Sequence, residues 1–233
     1  MNHCPQSESY LSNRPIIIVP TGAESRAVKQ ALRNRPNPPR VIEIPAGPPA
    51  VEAFLHNWRE PQLFQHHNLV LVGLAGSLSP DFQVGDGVLV ERSFEASSSR
   101  SYECDRALTQ HLSRQLDLPI GTGVTCDRVV TTVAEKQRLG DRYQADIVDM
   151  ESAMLLKLMP QARIAIVRVI SDDGNHDLPA IGDAIRPDGT LSPLILTTGL
   201  LRNPMAALQF VRNSLRGLRS LEHLTRNIVE ADK

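Results

Sequence analysis

The stretch NLVLVGLAG, Asn68–Gly76, decides the fold class. It is continuously apolar rather than alternating, and it ends in small residues. Continuous runs of this kind mark strands buried on both faces, as in a sheet covered by helices. Six further runs share the character: PIIIVP (15–20), VIEIP (41–45), DGVLVE (86–91), DRVVTTV (127–133), ADIVDM (145–150) and RIAIVRVIS (163–171). Helical patterns lie between them. Ser25–Asn34 follows the first run, and Pro49–Arg59 spaces Val51, Phe54 and Leu55 helically. Asp105–Leu116 opens on a capping Asp and repeats Leu108, Leu112 and Leu116. Glu151–Met159 follows the sixth run, and a long amphipathic helix is expected over 204–229. Alternating strand and helix predicts an α/β fold, a three-layer α/β/α sandwich with a mixed, largely parallel central sheet.

The 233 residues suffice for one large domain. No low-complexity linker or internal repeat divides the chain, so 15–233 is read as a single domain behind a flexible N-terminal tail, 1–14. Asn175–Pro193, polar with three prolines and two glycines, is expected to be a long surface loop. A net charge of −1 and 4% aromatic residues argue against nucleic acid as a partner. No apolar run approaches the ~20 residues of a membrane span, and the N-terminus has no signal-peptide pattern. A cytoplasmic protein is expected. Three widely spaced cysteines (Cys4, Cys104 and Cys126) without CxxC fit a reducing compartment and no disulfide framework. His66-His67 stands alone before a strand, so no metal site is expected.

In open α/β sheets, ligands bind at the carboxyl ends of strands. GLAGS (73–77) lets backbone approach a ligand closely, or simply makes a tight turn. It is neither GxGxxG nor a P-loop, so no nucleotide cofactor is implied. In DMES (149–152), Glu151 either complements a helix N-terminus or accepts hydrogen bonds from a sugar. In SDDGN (171–175), the aspartates either make an Asx turn or supply a proton donor. In PTGAESR (20–26), Thr21, Gly22 and Arg26 are an anion nest, or Glu24 starts a helix and reaches a water.

Taken in order, GLAGSLSPDFQVGDGVLV (73–90), DIVDMESAMLLK (146–157) and VRVISDD (167–173) resemble the purine nucleoside phosphorylase and methylthioadenosine/S-adenosylhomocysteine nucleosidase superfamily. The resemblance covers roughly 15–175. It implies cleavage of the N-glycosidic bond of a purine nucleoside, adenine being the expected base, by phosphorolysis or hydrolysis. Phosphate is then a co-substrate or is not needed, and no other cofactor is implied. It implies that Asp172 is the acid at purine N7, with Asp173 a turn residue and Asp86 a structural anchor. Glu24 falls where nucleosidases hold the attacking water. Glu151 and Met150 fall at the ribose, and Leu74, Gly76, Val129 and Ser171 elsewhere on the substrate. Thr21, Gly22 and Arg26 are the candidates around phosphate or water, with Arg128 a further cation. A homo-oligomer is implied by analogy.

Two departures stand out. Leu74 replaces a Ser or Thr found in many relatives, and Val129 and Val130 stand where nucleosidases often stack the base on Phe. They keep open an alternative, a nucleoside- or nucleobase-binding protein of the same fold without catalysis. Residues 176–221 resemble the tail of the hopanoid-associated phosphorylases, which implies a 5′-lipid-substituted nucleoside such as adenosylhopane. The alternative is a leucine-rich tail that only covers the sheet.

Overall fold

The computed structural model describes residues 14–59, 64, 67–179 and 204–230. Eight strands form one mixed sheet: β1 (Ile16–Pro20), β2 (Val41–Ile44), β3 (Asn68–Ser77), β4 (Gly87–Glu95), β5 (Arg100–Glu103), β6 (Ile120–Thr125), β7 (Ile147–Asp149) and β8 (Arg163–Asp172). The helices are α1 (Ala23–Leu32), α2 (Pro48–His56), α3 (Arg106–Leu116), α4 (Val133–Tyr143), α5 (Ser152–Leu158) and α6 (Pro204–Glu230).

Strand β8 lies between β3, which it joins in parallel, and β4, which it joins antiparallel. Strand β4 continues in parallel to β6, and β6 to β7. The last residues of β3, Gly76 and Ser77, then pair antiparallel with β7. These pairings close a ring, β3–β8–β4–β6–β7, from which β1 and β2 extend on one side and β5 on the other. The closure brings the carboxyl ends of β3, β7 and β8 together.

Residues of β3 and β8 alternate between two cores, as the period of two demands. Leu69, Leu71, Ile164, Ile166 and Ile170 face α2 and α5. Val70, Val72, Ala165, Val167 and Val169 face α1, α3 and α6. Both faces are therefore apolar, which explains the unbroken runs in the sequence. A third cluster joins Val124, Cys126, Val130, Tyr143 and Val148 beside α4.

Most expected elements are present, and Asp105 caps α3 through Leu108 N at 2.8 Å. Three differences have physical reasons. The run DRVVTTV is not a strand. The strand is the preceding IGTGVT, which pairs on both sides with β4 and β7, while Thr132 accepts from Glu135 N and caps α4. Helix α4 was not expected because its sequence, VAEKQRLGDRY, carries no apolar stripe; it is held by its cap and by burial of Lys136 and Tyr143. Strand β5 is an exposed edge of polar residues and gives no periodic signal. The loop expected over 175–193 lies outside the described residues beyond 179. So does the tail expected over 1–14 except Arg14, which donates to Asn37 O at 2.6 Å. Among the described residues, no helix is long and apolar enough to cross a membrane.

Candidate active site

The site is organised around a cation inside the sheet. Arg168 occupies a core-facing position of β8, between Ile166 and Ile170, and is fully buried. An unpaired guanidinium there is costly, so its partners define the site. Its Nε and Nη2 reach Asp149 Oδ2 at 2.9 and 2.7 Å. Nη2 also donates to Glu151 Oε2 at 3.0 Å and to Ser152 Oγ at 3.2 Å. Asp149 is anchored in turn by Thr125 Oγ1 at 2.6 Å and by the Ser152 hydroxyl and amide. Thr125 accepts from Ala153 N at 2.9 Å, which ties the start of α5 to β6.

Nη1 of Arg168 is buried and has no hydrogen-bond partner among the described residues. It points toward Gly73, its neighbour across the β3–β8 ladder. A Cβ at Gly73 would press on that nitrogen and lie 2.8 Å from Glu24 Oε1. Gly73 therefore clears a space shared by Arg168 and Glu24. Glu24 comes from the first turn of α1 and accepts from Leu74 N at 2.6 Å. Burial pushes its carboxyl up to about 8, with the nearby charge of Glu151 adding, against the Leu74 amide and Arg168. Glu151 precedes α5, and Gly47 N lies 3.4 Å from its Oε1. Burial raises its affinity for a proton, against the pull of Arg168.

Farther along β8, Asp172 faces Gly76, where an added Cβ would lie 3.0 and 3.2 Å from the carboxylate oxygens. Asp172 is buried and ion-paired with the Lys136 ammonium of α4. The same ammonium donates to Asp173 O at 2.6 Å. Burial raises the Asp172 carboxyl above its ordinary range even against Lys136. Ser171 Oγ lies 3.3 Å from both Ala75 O and Asp172 Oδ1. Asp173 accepts from Asn175 N and approaches His176 Nδ1, both at 3.1 Å, which is an Asx turn. Asp172 also borders a small void of about 10 Å³ shared with Leu178 and with Ala206, Gln209, Phe210 and Asn213 of α6. A cavity of about 1280 Å³ adjoins it, between His176 and the first half of α6.

Of the residues singled out in the sequence, Glu24, Glu151, Gly76, Ser171 and Asp172 converge here. The terminal methyl of half-buried Met150 lies over Gly47, beside Glu151. Leu74 enters through its amide alone, because its side chain is on the opposite face of β3, against Gly217 of α6. Half-buried Val129 lies in the loop after β6. Thr21 and Gly22 are exposed at the end of β1, where Gly22 takes a φ of 106°. Arg26 is exposed two positions after Glu24, and residues so spaced do not share a helix face. Arg128 is held by Glu135 at 2.6 Å. Asp86 anchors the turn before β4 through Gln83 N at 2.8 Å. Sequence reasoning missed Arg168, Lys136 and Phe210. The first had a signal: one arginine inside an unbroken apolar run.

The closed mixed sheet has counterparts among known proteins. The chain matches the Phosphorylase superfamily over residues 9–185 and belongs to that family. Its structure is similar to futalosine hydrolase of Helicobacter pylori, with a TM-score of 0.65 at 14% identity over 94% of this chain and 98% of that one. The same figures describe its similarity to the 5′-methylthioadenosine/S-adenosylhomocysteine nucleosidase of Helicobacter pylori in complex with a substituted pyrrolidin-3-ol. The corresponding Campylobacter jejuni nucleosidase gives 0.58 at 14% identity, over 91% of this chain and all of that one. No curated protein matches the chain.

Proposed function

We propose that the protein hydrolyses the N-glycosidic bond of a purine nucleoside, with adenine the expected base. The observation that carries this is the unspent Nη1 of buried Arg168 beside Glu24, with Glu151 adjacent and Asp172 farther along the same strand. Breaking the bond leaves positive charge at C1′ and negative charge on the base. Asp172 delivers a proton to the base at N7. Glu151, whose carboxylate keeps acceptor capacity beyond its bonds to Arg168 and Gly47, binds ribose hydroxyls. Glu24 takes a proton from the attacking water, which Arg168 Nη1 orients. A carboxyl with its midpoint near 8 is matched to that task at neutral pH.

Water is favoured over phosphate by charge. Glu24, Asp149 and Glu151 surround one guanidinium, and a phosphate dianion there would meet net negative charge. Neither Arg26 nor Arg128 joins the cluster. For the 5′ substituent, α6 exposes Met205, Leu208, Val211 and Leu215. Met205 and Leu208 line the outer cavity together with Arg212, Arg216 and Arg219, and their exposed apolar side chains favour an apolar group of the kind carried by adenosylhopane. The test is product analysis on adenosine, methylthioadenosine and adenosylhopane, with and without phosphate. Free ribose or its 5′-substituted form is expected, independent of phosphate. Ribose-1-phosphate would refute hydrolysis. Asp172→Asn should remove most base release, by about 10²–10⁴-fold. Adenine binding without release from any of the three would favour the non-catalytic alternative.

A further inference from the structure

Lys136 is 1% exposed, and its ammonium is spent wholly on the carboxylate of Asp172 and the carbonyl of Asp173. Burying a lysine is costly, and a buried ion pair returns little net stability. Apart from Lys136, α4 docks through Tyr143 and Leu139, whose packing does not require a buried ammonium. The pair is also aimed. The carboxylate sits over Gly76, where any side chain would crowd it, and borders the void reached by Phe210. The ammonium of Lys136 donates directly to the Asp172 carboxylate, so the proton nearest Asp172 is the one on Lys136 Nζ.

We propose that Lys136 supplies the proton that Asp172 passes to the leaving base. The inference rests on the assignment of Asp172 as the acid. The bond between C1′ and the purine nitrogen breaks, and its electron pair moves into the purine. Lys136 Nζ passes a proton to the Asp172 carboxylate, the resulting carboxyl passes it to N7, and water, deprotonated by Glu24, bonds to C1′. A neutral amine is left between Asp172 and Asp173 O, and solvent reprotonates it after the base departs. Lys136 is thus a positioning and proton-supplying residue that acts through Asp172.

The experiment compares Lys136→Met, Lys136→Arg and Asp172→Asn with the native enzyme on two kinds of substrate. One is the panel of adenosine, methylthioadenosine and inosine, whose base needs a proton to leave. The other is para-nitrophenyl riboside, whose leaving group needs none. Lys136→Met should lower kcat on the purine nucleoside by about 10²–10⁴-fold and turn over the nitrophenyl riboside like the native enzyme. Lys136→Arg keeps the charge and the pair but yields no proton, so it should stay slow on the nucleoside. Restoration of nucleoside turnover by Lys136→Arg would show that charge alone is needed and would overturn the proposal. Equal losses on both substrates would reduce Lys136 to a structural role and also overturn it. Full nucleoside turnover by Asp172→Asn, or none by the native enzyme, would instead remove the site assignment beneath the proposal.

Discussion

Replacing Gly73 with alanine tests the central geometry with a single methyl group. The added carbon would collide with Arg168 Nη1 and stand 2.8 Å from Glu24 Oε1 and 3.3 Å from Pro20 Cδ. Arg168 cannot yield, because Asp149 and Glu151 fix it inside the core. Glu24 can swing away only by giving up the Leu74 amide. Overpacking a filled interior costs about 1–3 kcal/mol. For a chain of this size that lowers Tm by roughly 2–12 °C. Activity should fall further than stability, because a displacement of about 1 Å at a reacting group can cost on the order of 100-fold. The assays are thermal denaturation by circular dichroism and base release from the best substrate of the panel. Gly123→Ala is the control, since its Cβ would make only ordinary contacts at 3.4 Å and beyond. Native-like Tm and kcat for Gly73→Ala would show that Arg168 and Glu24 do not share a confined space, and the assignment of the attacking water would fall.

The raised Glu24 carboxyl has two consequences. Its folded value, about 8, lies above its unfolded value, so its contribution to stability is full in acid and is lost as pH rises toward 8. Chemical denaturation between pH 5 and 8 should show stability declining with pH, and Glu24→Gln should flatten the slope by up to about 1.4 kcal/mol per pH unit. The base must be ionised to act, so kcat/KM of the native enzyme should climb with pH, reach half its maximum near 8 and level off above it. A rate independent of pH over that range would count against Glu24 as base. Thr125→Val should destabilise by about 1–3 kcal/mol, because it leaves Asp149 Oδ1 short of a donor and Ala153 N without its acceptor. Unchanged denaturant midpoints would show that the anchor beneath Asp149 is dispensable.

The layers of the fold were legible because its central strands are apolar on both faces. NLVLVGLAG and RIAIVRVIS announce themselves without alternation, and the helices around them carry leucine at regular spacing. What the sequence did not disclose depends on pairing between distant segments. IGTGVT has two glycines and weak strand character, yet it is fixed between β4 and β7. DRVVTTV has the composition of a strand, but β7 already occupies the edge it would need, and its last Thr caps α4 instead. In the site, carboxylates at strand ends were visible as SDD, DMES and GAES. Their cations were not. Lys136 lies in a helix without an apolar stripe, and its burial follows only from where that helix docks.

Those two cations explain how one strand presents different chemistry at its middle and at its end. Beside Arg168, one positive charge serves three carboxylates, Glu24, Asp149 and Glu151. Full ionisation there would leave net negative charge away from water, so a proton is retained. Burial raises both Glu151 and Glu24, and Glu24, pushed up to about 8, has the Leu74 amide but no direct bond to the guanidinium. That carboxyl can be emptied and refilled near neutral pH, as a base must be. At Asp172, one lysine serves one carboxylate, and the pair as a whole is neutral. On the proposed assignment, passing a proton outward leaves the carboxylate beside a neutral amine, a charge offset by the cationic sugar until solvent reprotonates the lysine. Arg168 and Asp172 lie four positions apart on β8, at most about 13 Å of extended strand. On the same proposed assignment, a nucleoside lying between them would place its sugar over Glu151 and its base against Asp172. The direction of bond cleavage then follows from where the sheet has put one cation too few and where it has put one cation to match.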